Sequence, residues 1–348
     1  MKVEASMRAY DFGMQQPRAR NAFLAVCLWA VGLTAIASPS ANASDLIDRP
    51  TPLPSKVKLT VAAVKQGHIA VMQNVPAMLE GLNVELEVAS FVRFADARTA
   101  LTTGSADVAT MGPGDLAIAL SQGVDDVSIV AGIGSSTRYI VGRDGIDLKN
   151  WADLKGKKLG IPNGSATWMQ FAAKLEDVGQ PYGSFEAVNI QGGGPNFVQA
   201  LKKGEVDAII IWEPFESQPK ADGFGHFAEL DYSDSKAIGS ELGVIAATSR
   251  AMGEKKEALR RFLWAYMACE KELQDSQAKF AKAISEYTGV DATSADRMSQ
   301  RLKLGGVLTL DQLKAQSVWM FKSGIIPNDV VGKIAAHYDT SLLASIRK

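Results

Sequence analysis

Five short stretches carry residue types suited to holding a small anion, and each follows a segment that reads as a buried strand. In Pro162-Asn163-Gly164-Ser165-Ala166-Thr167 a strand gives way to a helix. Unpaired N–H groups and the dipole at a helix N-terminus attract negative charge, and Ser165 and Thr167 add hydroxyl donors. Ser165 also reads as an N-cap, a duty compatible with ligand contact. Met111-Gly112-Pro113-Gly114-Asp115 lets a ligand approach the backbone at Gly112, Pro113 and Gly114, or is a plain turn. Gln66-Gly67-His68 offers His68 as an anion donor or a helix cap. Gln191-Gly192-Gly193-Gly194-Pro195 gives backbone access without the G-x-G-x-x-G spacing of a dinucleotide fingerprint. In Trp212-Glu213-Pro214, Trp212 can cover an apolar ligand portion and Glu213 can accept from an amine or amide. Glu213 can equally sit on the dipole of a helix opening at Pro214. Phe94 is either a cleft wall or core. Arg93 and Arg138 can each pair with an anion, but each alone reads by default as a solvated face.

Other chemistries lack their residues. His68, His226 and His337 lie far apart in sequence, so no metal-ligand cluster is visible. No nucleophile, base and orienting group occur in a supporting motif, so no catalytic constellation is found and no cofactor is expected. Lys and Arg number 37 against 38 Asp and Glu, a net charge of −1 with no basic block, so nucleic acid is not an expected partner.

The N-terminal region has the order of a secretory signal. Arg18 and Arg20 precede an apolar run over 22–37, followed by Ser38-Pro39-Ser40 and the small-residue site Ala41-Asn42-Ala43. The run is shorter than the ~20 apolar residues of a comfortable membrane span. We expect a signal peptide over 1–43, cleavage near Ala43 and a periplasmic mature protein. Cys269 is then its only cysteine, so no intrachain disulfide can form.

These loops must be positioned by alternating strands and helices. Strands are expected at 57–64, 84–88, 107–111 and 127–131, with helices at 70–80, 95–102 and 114–121 between them. The order argues for a mostly parallel sheet. The pattern restarts after Trp151, with strands at 159–161, 185–190 and 207–212 and helices at 165–178 and 196–203. Ala100-Leu101-Thr102-Thr103-Gly104-Ser105-Ala106-Asp107 rhymes with Ala200-Leu201-Lys202-Lys203-Gly204-Glu205-Val206-Asp207: a helix end, a glycine, then Asp before a buried strand. A late strand at 242–247 precedes an almost wholly helical tail from Glu254, expected to return over the first lobe. The expected division is 56–139 plus 241–348 for lobe I and 140–240 for lobe II. Crossing strands near Arg138–Arg143, which include Tyr139, and near Glu241–Ile245 would form a hinge. Ligands in such sheets sit beyond the carboxyl ends of the strands.

Asp153-Leu154-Lys155-Gly156-Lys157-Lys158-Leu159-Gly160, Gly164-Ser165, and Val206-Asp207-Ala208 followed by Trp212-Glu213-Pro214 resemble the nitrate/sulfonate/taurine group of ABC-transporter substrate-binding proteins. The resemblance runs over roughly 57–323. It implies the type II periplasmic binding protein fold: two doubly wound α/β lobes with a hinge, a helical C-terminal tail and a ligand in the cleft. It implies a monomer that captures a taurine-, alkanesulfonate- or nitrate-like solute for an inner-membrane ABC permease with its ATPase. The equivalent of the Gly112 loop often carries hydroxyl residues in that group, and here it does not. Two further readings stay open. One is a binding protein or enzyme of the thiamine-pyrimidine-precursor branch, whose enzymes carry a cysteine-rich iron motif missing here. The other is a ligand sensor. The candidate ligand-binding set is Gln66, His68, Phe94, Gly112, Pro113, Tyr139, Gly164, Ser165, Ala166, Thr167, Gln191, Gly192, Trp212 and Glu213.

Overall fold

Eleven strands form two mixed sheets in a computed structural model that describes residues 46–191, 193–306 and 308–348. The expected signal segment, 1–43, and Gly192 lie outside the described residues. The strands are β1 (Val57–Val64), β2 (Val84–Phe91), β3 (Val108–Met111), β4 (Val127–Ser136), β5 (Tyr139–Arg143) and β6 (Lys158–Ile161). They continue with β7 (Glu186–Asn189), β8 (Ala208–Ile209), β9 (Gly225–Asp231), β10 (Glu241–Thr248) and β11 (Leu302–Leu304). The first sheet runs β11-β4-β10-β3-β1-β2 and the second β7-β6-β8-β5-β9. Each contains three parallel strands, β2-β1-β3 and β7-β6-β8. Each parallel trio is flanked by an antiparallel strand that has just crossed from the other sheet, β10 in the first and β5 in the second.

Period-two alternation buries both faces of the second sheet. Ile140, Ala208 and Ile210 join one apolar cluster with Phe171 and Phe185, while Val141, Ile209 and Ile211 join the other with Phe197 and Leu201. The tail helices Lys256–Gln274, Gln277–Thr288, Ala292–Arg301 and Leu310–Lys322 share one core with the first sheet. Leu259, Phe262, Leu263 and Tyr266 point into it, as their three- and four-residue spacing predicts. The tail also contributes β11, which pairs with β4 as an edge strand. Among the described residues no helix is long and apolar enough to cross a membrane.

The rhyming segments do the same physical job. Asp107 accepts from the backbone N–H of Thr60 at 2.9 Å, and Asp207 from that of Lys158 at 2.9 Å. Each Asp also donates its own N–H back to the same partner residue, so the carboxylate extends the parallel ladder by one rung. Gly104 and Gly204 both have φ +72°, the left-handed turn that frees the chain from the preceding helix.

Local departures have local causes. The helix expected at 70–80 is a 3-10 turn, Gly67–Gln73, followed by a short helix, Val75–Met78. Pro76 lacks an N–H and fits only in a first turn, so it breaks the run. The strand expected at 207–212 is confined to Ala208–Ile209. No helix opens at Pro214; turns lead instead to a short helix at Gln218–Ala221. β9 was not foreseen, because Gly225-His226-Phe227-Ala228-Glu229-Leu230-Asp231 lies on an edge and mixes polar with apolar residues.

The twin aspartates differ in burial, and that sets an expected outcome. Asp107 is 1% exposed and also holds Lys255 Nζ at 2.7 Å and Arg250 at 3.2 Å, whereas Asp207 is 24% exposed and faces Arg143 at 3.7 Å. Asp107→Ala should cost about 3 kcal/mol and Asp207→Ala about 1 kcal/mol, read from urea unfolding midpoints.

Candidate functional site

The carboxyl ends of β1 and β8 meet at the chain crossing and enclose a cavity of about 30 Å³. That volume holds a water or two, well short of the ~300 Å³ of a typical small-ligand pocket. Gln66, Gly67 and His68 form the first-sheet wall, Ser136 and Arg138 the crossing side, and Trp212, Glu213 and Glu216 the second-sheet wall. Leu242, Met298 and Leu302 supply apolar surface.

Arg138 is the central cation. It stands directly before β5, two residues past the end of β4, and its carbonyl accepts from Tyr232 N–H at 2.9 Å, which ties the outgoing chain to the returning one. Ser136 N–H does the same with Ser240 C=O at 3.2 Å. Arg138 is 9% exposed; its guanidinium donates through Nη1 to Thr167 Oγ1 and leaves Nε without a hydrogen-bond partner. His68 is 4% exposed and its Nε2 is likewise unpartnered. Burial, and then the charge of Arg138, push the imidazole pKa down to about 3, so His68 is neutral.

The second-sheet wall is acidic and already paired. Glu213 Oε1 lies 2.6 Å from Arg301 Nε, off the hydrogen-bond axis, while its other oxygen accepts from Ser217 Oγ at 2.7 Å and Ser217 N–H at 3.2 Å. Glu216 Oε1 accepts from Tyr139 N–H at 2.8 Å and from Arg301 Nη2 at 2.7 Å. Burial pushes the Glu216 carboxyl up to about 8, with Arg301 opposing the shift. Among the described residues no group of three or more His, Cys, Asp or Glu could hold a metal ion.

The structure gathers part of the sequence-derived set. Gln66, His68, Trp212 and Glu213 line the cavity, Tyr139 binds Glu216, and Thr167 binds Arg138. The helix N-terminus expected to seat an anion is reached only through Thr167. Ser165 caps its own helix, accepting from Trp168 N–H at 3.1 Å. Ala166 packs on the first core, and the exposed Gly164 does not line the cavity. Gly112 and Pro113 are buried and also do not line it. Gly112 N–H is bound to Asp115 at 2.8 Å, and a Cβ on Gly112 would meet the Phe94 ring at 3.0 Å. The Phe94 ring packs 6.1 Å from His68, behind the cavity wall. Gln191 is exposed and turns its carbonyl to Asn196 Nδ2 at 2.7 Å; Gly192 lies outside the described residues. Arg93 is solvated and paired with Asp96, but the same reading fails for Arg138, which the crossing buries. Sequence reasoning missed Glu216, Ser136 and Arg301. Glu216 had a signal, standing three residues beyond Glu213, whereas Arg301 had none nearby.

The family model described as NMT1/THI5 like matches residues 79–276. A binding protein of Brucella abortus (strain 2308) is 28% identical over 217 residues, covering 62% of this chain. The chain spans 64% of the length of the curated relatives it matches. The periplasmic aliphatic sulphonate binding protein SsuA of Escherichia coli superposes with TM-score 0.69 at 18% identity, over 81% of this chain and 97% of that one. SsuA of Xanthomonas axonopodis pv. citri, bound to MOPS, gives 0.65 at 17%, over 82% and 99%. The periplasmic nitrate-binding protein NrtA of Synechocystis PCC 6803 gives 0.65 at 13%, over 85% and 89%. These likenesses show the fold, the two-lobed α/β architecture of periplasmic binding proteins with a helical C-terminus.

A depressed histidine pKa means that stability is fully present above the ordinary value of 6.5 and is lost as pH falls toward about 3. His68→Gln removes this contribution. Its unfolding free energy, followed by calorimetry, should fall less steeply than the wild type's on the acid side, the difference reaching about 2 kcal/mol at pH 5.

Proposed function

The chain belongs to the NMT1/THI5-like family, and from that premise we propose that it is the exported, periplasmic solute-binding component of an ABC importer. In this reading it captures one small anionic or zwitterionic solute, of the taurine, alkanesulfonate or nitrate kind, and delivers it as a monomer to an inner-membrane permease with its ATPase. The observation that carries the reading is Arg138: a buried guanidinium at the crossing, with one N–H unpartnered and a neutral His68 beside it. A buried cation with a spare donor favours a charge-assisted hydrogen bond from an oxyanion. The names of the SsuA and NrtA neighbours support sulfonate or nitrate as the class.

The proposed lobes are 56–139 plus 241–348 and 140–240, hinged where Ser136–Tyr139 runs beside Tyr232–Ser240. Opening there would separate Gln66 and His68 from Trp212 and Glu213 and admit a ligand; reclosure would surround it. Trp212 then covers the apolar part of an organosulfonate. Cys269 is buried, and burial pushes its thiol up to about 12, so the thiolate is scarce.

The test is thermal shift with nitrate, taurine and short alkanesulfonates. A ligand at about 100 times its Kd should stabilise the fold by about 2.7 kcal/mol. Arg138→Met should weaken binding at least about tenfold, and Trp212→Ala should weaken organosulfonates more than nitrate. No shift with any of these anions would overturn the reading.

A further inference from the structure

We propose that Arg301, carried on the C-terminal tail, makes the cleft selective for anions: it offsets one unit of negative charge on the two buried carboxyls of the second-sheet wall and so keeps the set around Arg138 from becoming net negative. The inference rests on the solute-binding reading above and deepens it. Arg301 does not line the cavity, whereas Glu213 and Glu216 do. It ends the helix Ala292–Arg301 and is anchored to the first sheet by β11, which follows it directly. Its side chain is 16% exposed and reaches across to the second lobe. There it pairs with Glu213 at 2.6 Å and Glu216 at 2.7 Å, and it also donates to the Thr137 carbonyl at 3.1 Å. The guanidinium lies 4.3 Å from the Phe227 ring centre and 5.6 Å from that of Tyr139. One planar fork thus faces two carboxylates, donates to a carbonyl and lies over two aromatic rings, and its positive charge is what both carboxyls share.

The charges facing this spot decide the effect. From the crossing chain comes Arg138, from the tail Arg301, from the loop after β8 Glu213 and Glu216, and from the loop after β1 the neutral His68. With Arg301 present the set is positive, or balanced when Glu216 is ionised. Without it the set is balanced or negative, and an incoming anion meets unpaired carboxylate in a low-dielectric site. Arg301 is therefore a positioning residue that acts on the ligand through Glu213 and Glu216.

Ethanesulfonate binding, followed by calorimetric titration of the purified chain, tests this with four proteins. The wild type and Arg301→Lys should bind alike within about threefold, because the charge is kept. Arg301→Met should bind at least about tenfold more weakly. The triple variant Arg301→Met, Glu213→Gln, Glu216→Gln has no buried carboxylate to offset and should recover to within about threefold of the wild type. It also guards against a fold failure caused by stranded charges in the single variant. A triple variant as weak as Arg301→Met, or loss of binding in Arg301→Lys, would overturn the inference and leave the solute-binding reading intact. No response of the wild type to ethanesulfonate, taurine or nitrate would overturn that reading, and this inference with it.

Discussion

The cleft depends on one constraint: two guanidiniums and two carboxyls are withdrawn from water at the same junction and must balance there. Each such ion costs several kcal/mol to desolvate, which only close pairing and complete hydrogen bonding can offset. The structure meets this with partners drawn from four separate parts of the chain. Arg138 comes from the crossing after β4, Glu213 and Glu216 from the loop after β8, Thr167 from the helix after β6, and Arg301 from the tail. These pairs link the two lobes across the junction. The hydrogen bonding is locally unfinished around the cavity: Arg138 Nε, His68 Nε2 and Glu213 Oε1 on its lining, and Arg301 Nε behind it, have no hydrogen-bond partner.

This origin explains which parts of the site were legible in the sequence. Strand ends are local features, and the rule that ligands sit beyond them located Gln66, His68, Trp212 and Glu213. The two crossings followed from the restart of the β-α pattern and the late strand at 242–247. Arg138 was visible but misjudged, because nothing in its neighbours says that the returning chain at Tyr232 will cover it. Arg301 lies 88 positions beyond Glu213 in a helix whose apolar pattern is ordinary. No local signal marks a side chain whose partners are set by the docking of one lobe on the other. The Gly112 loop shows the opposite failure: its glycines do allow close approach, but Phe94 and Asp115 are what approach.

The edges of the fold were the least legible for a related reason. β8 is two residues long because Asp207 supplies a ladder bond with its carboxylate and the chain then leaves the sheet for the cleft. β9 and β11 lie at sheet edges, where one side of the strand has no neighbour and the apolar alternation is weak. Central strands such as β1 and β3, buried by neighbours on both sides, carried clear apolar runs.

The paired aspartates show how similar halves come to differ in role. Asp107 and Asp207 each close a parallel ladder in the same way, yet only Asp107 is sealed by cations from the segment that opens the tail, Arg250 and Lys255. The tail covers the first sheet, so that lobe acquires a rigid helical layer and the second does not. An element fixed to one lobe that also carries Arg301 across to the other is well placed to report and oppose their separation. Charge balance at the cleft is therefore set from the first lobe, by a residue that the second lobe's own sequence does not contain.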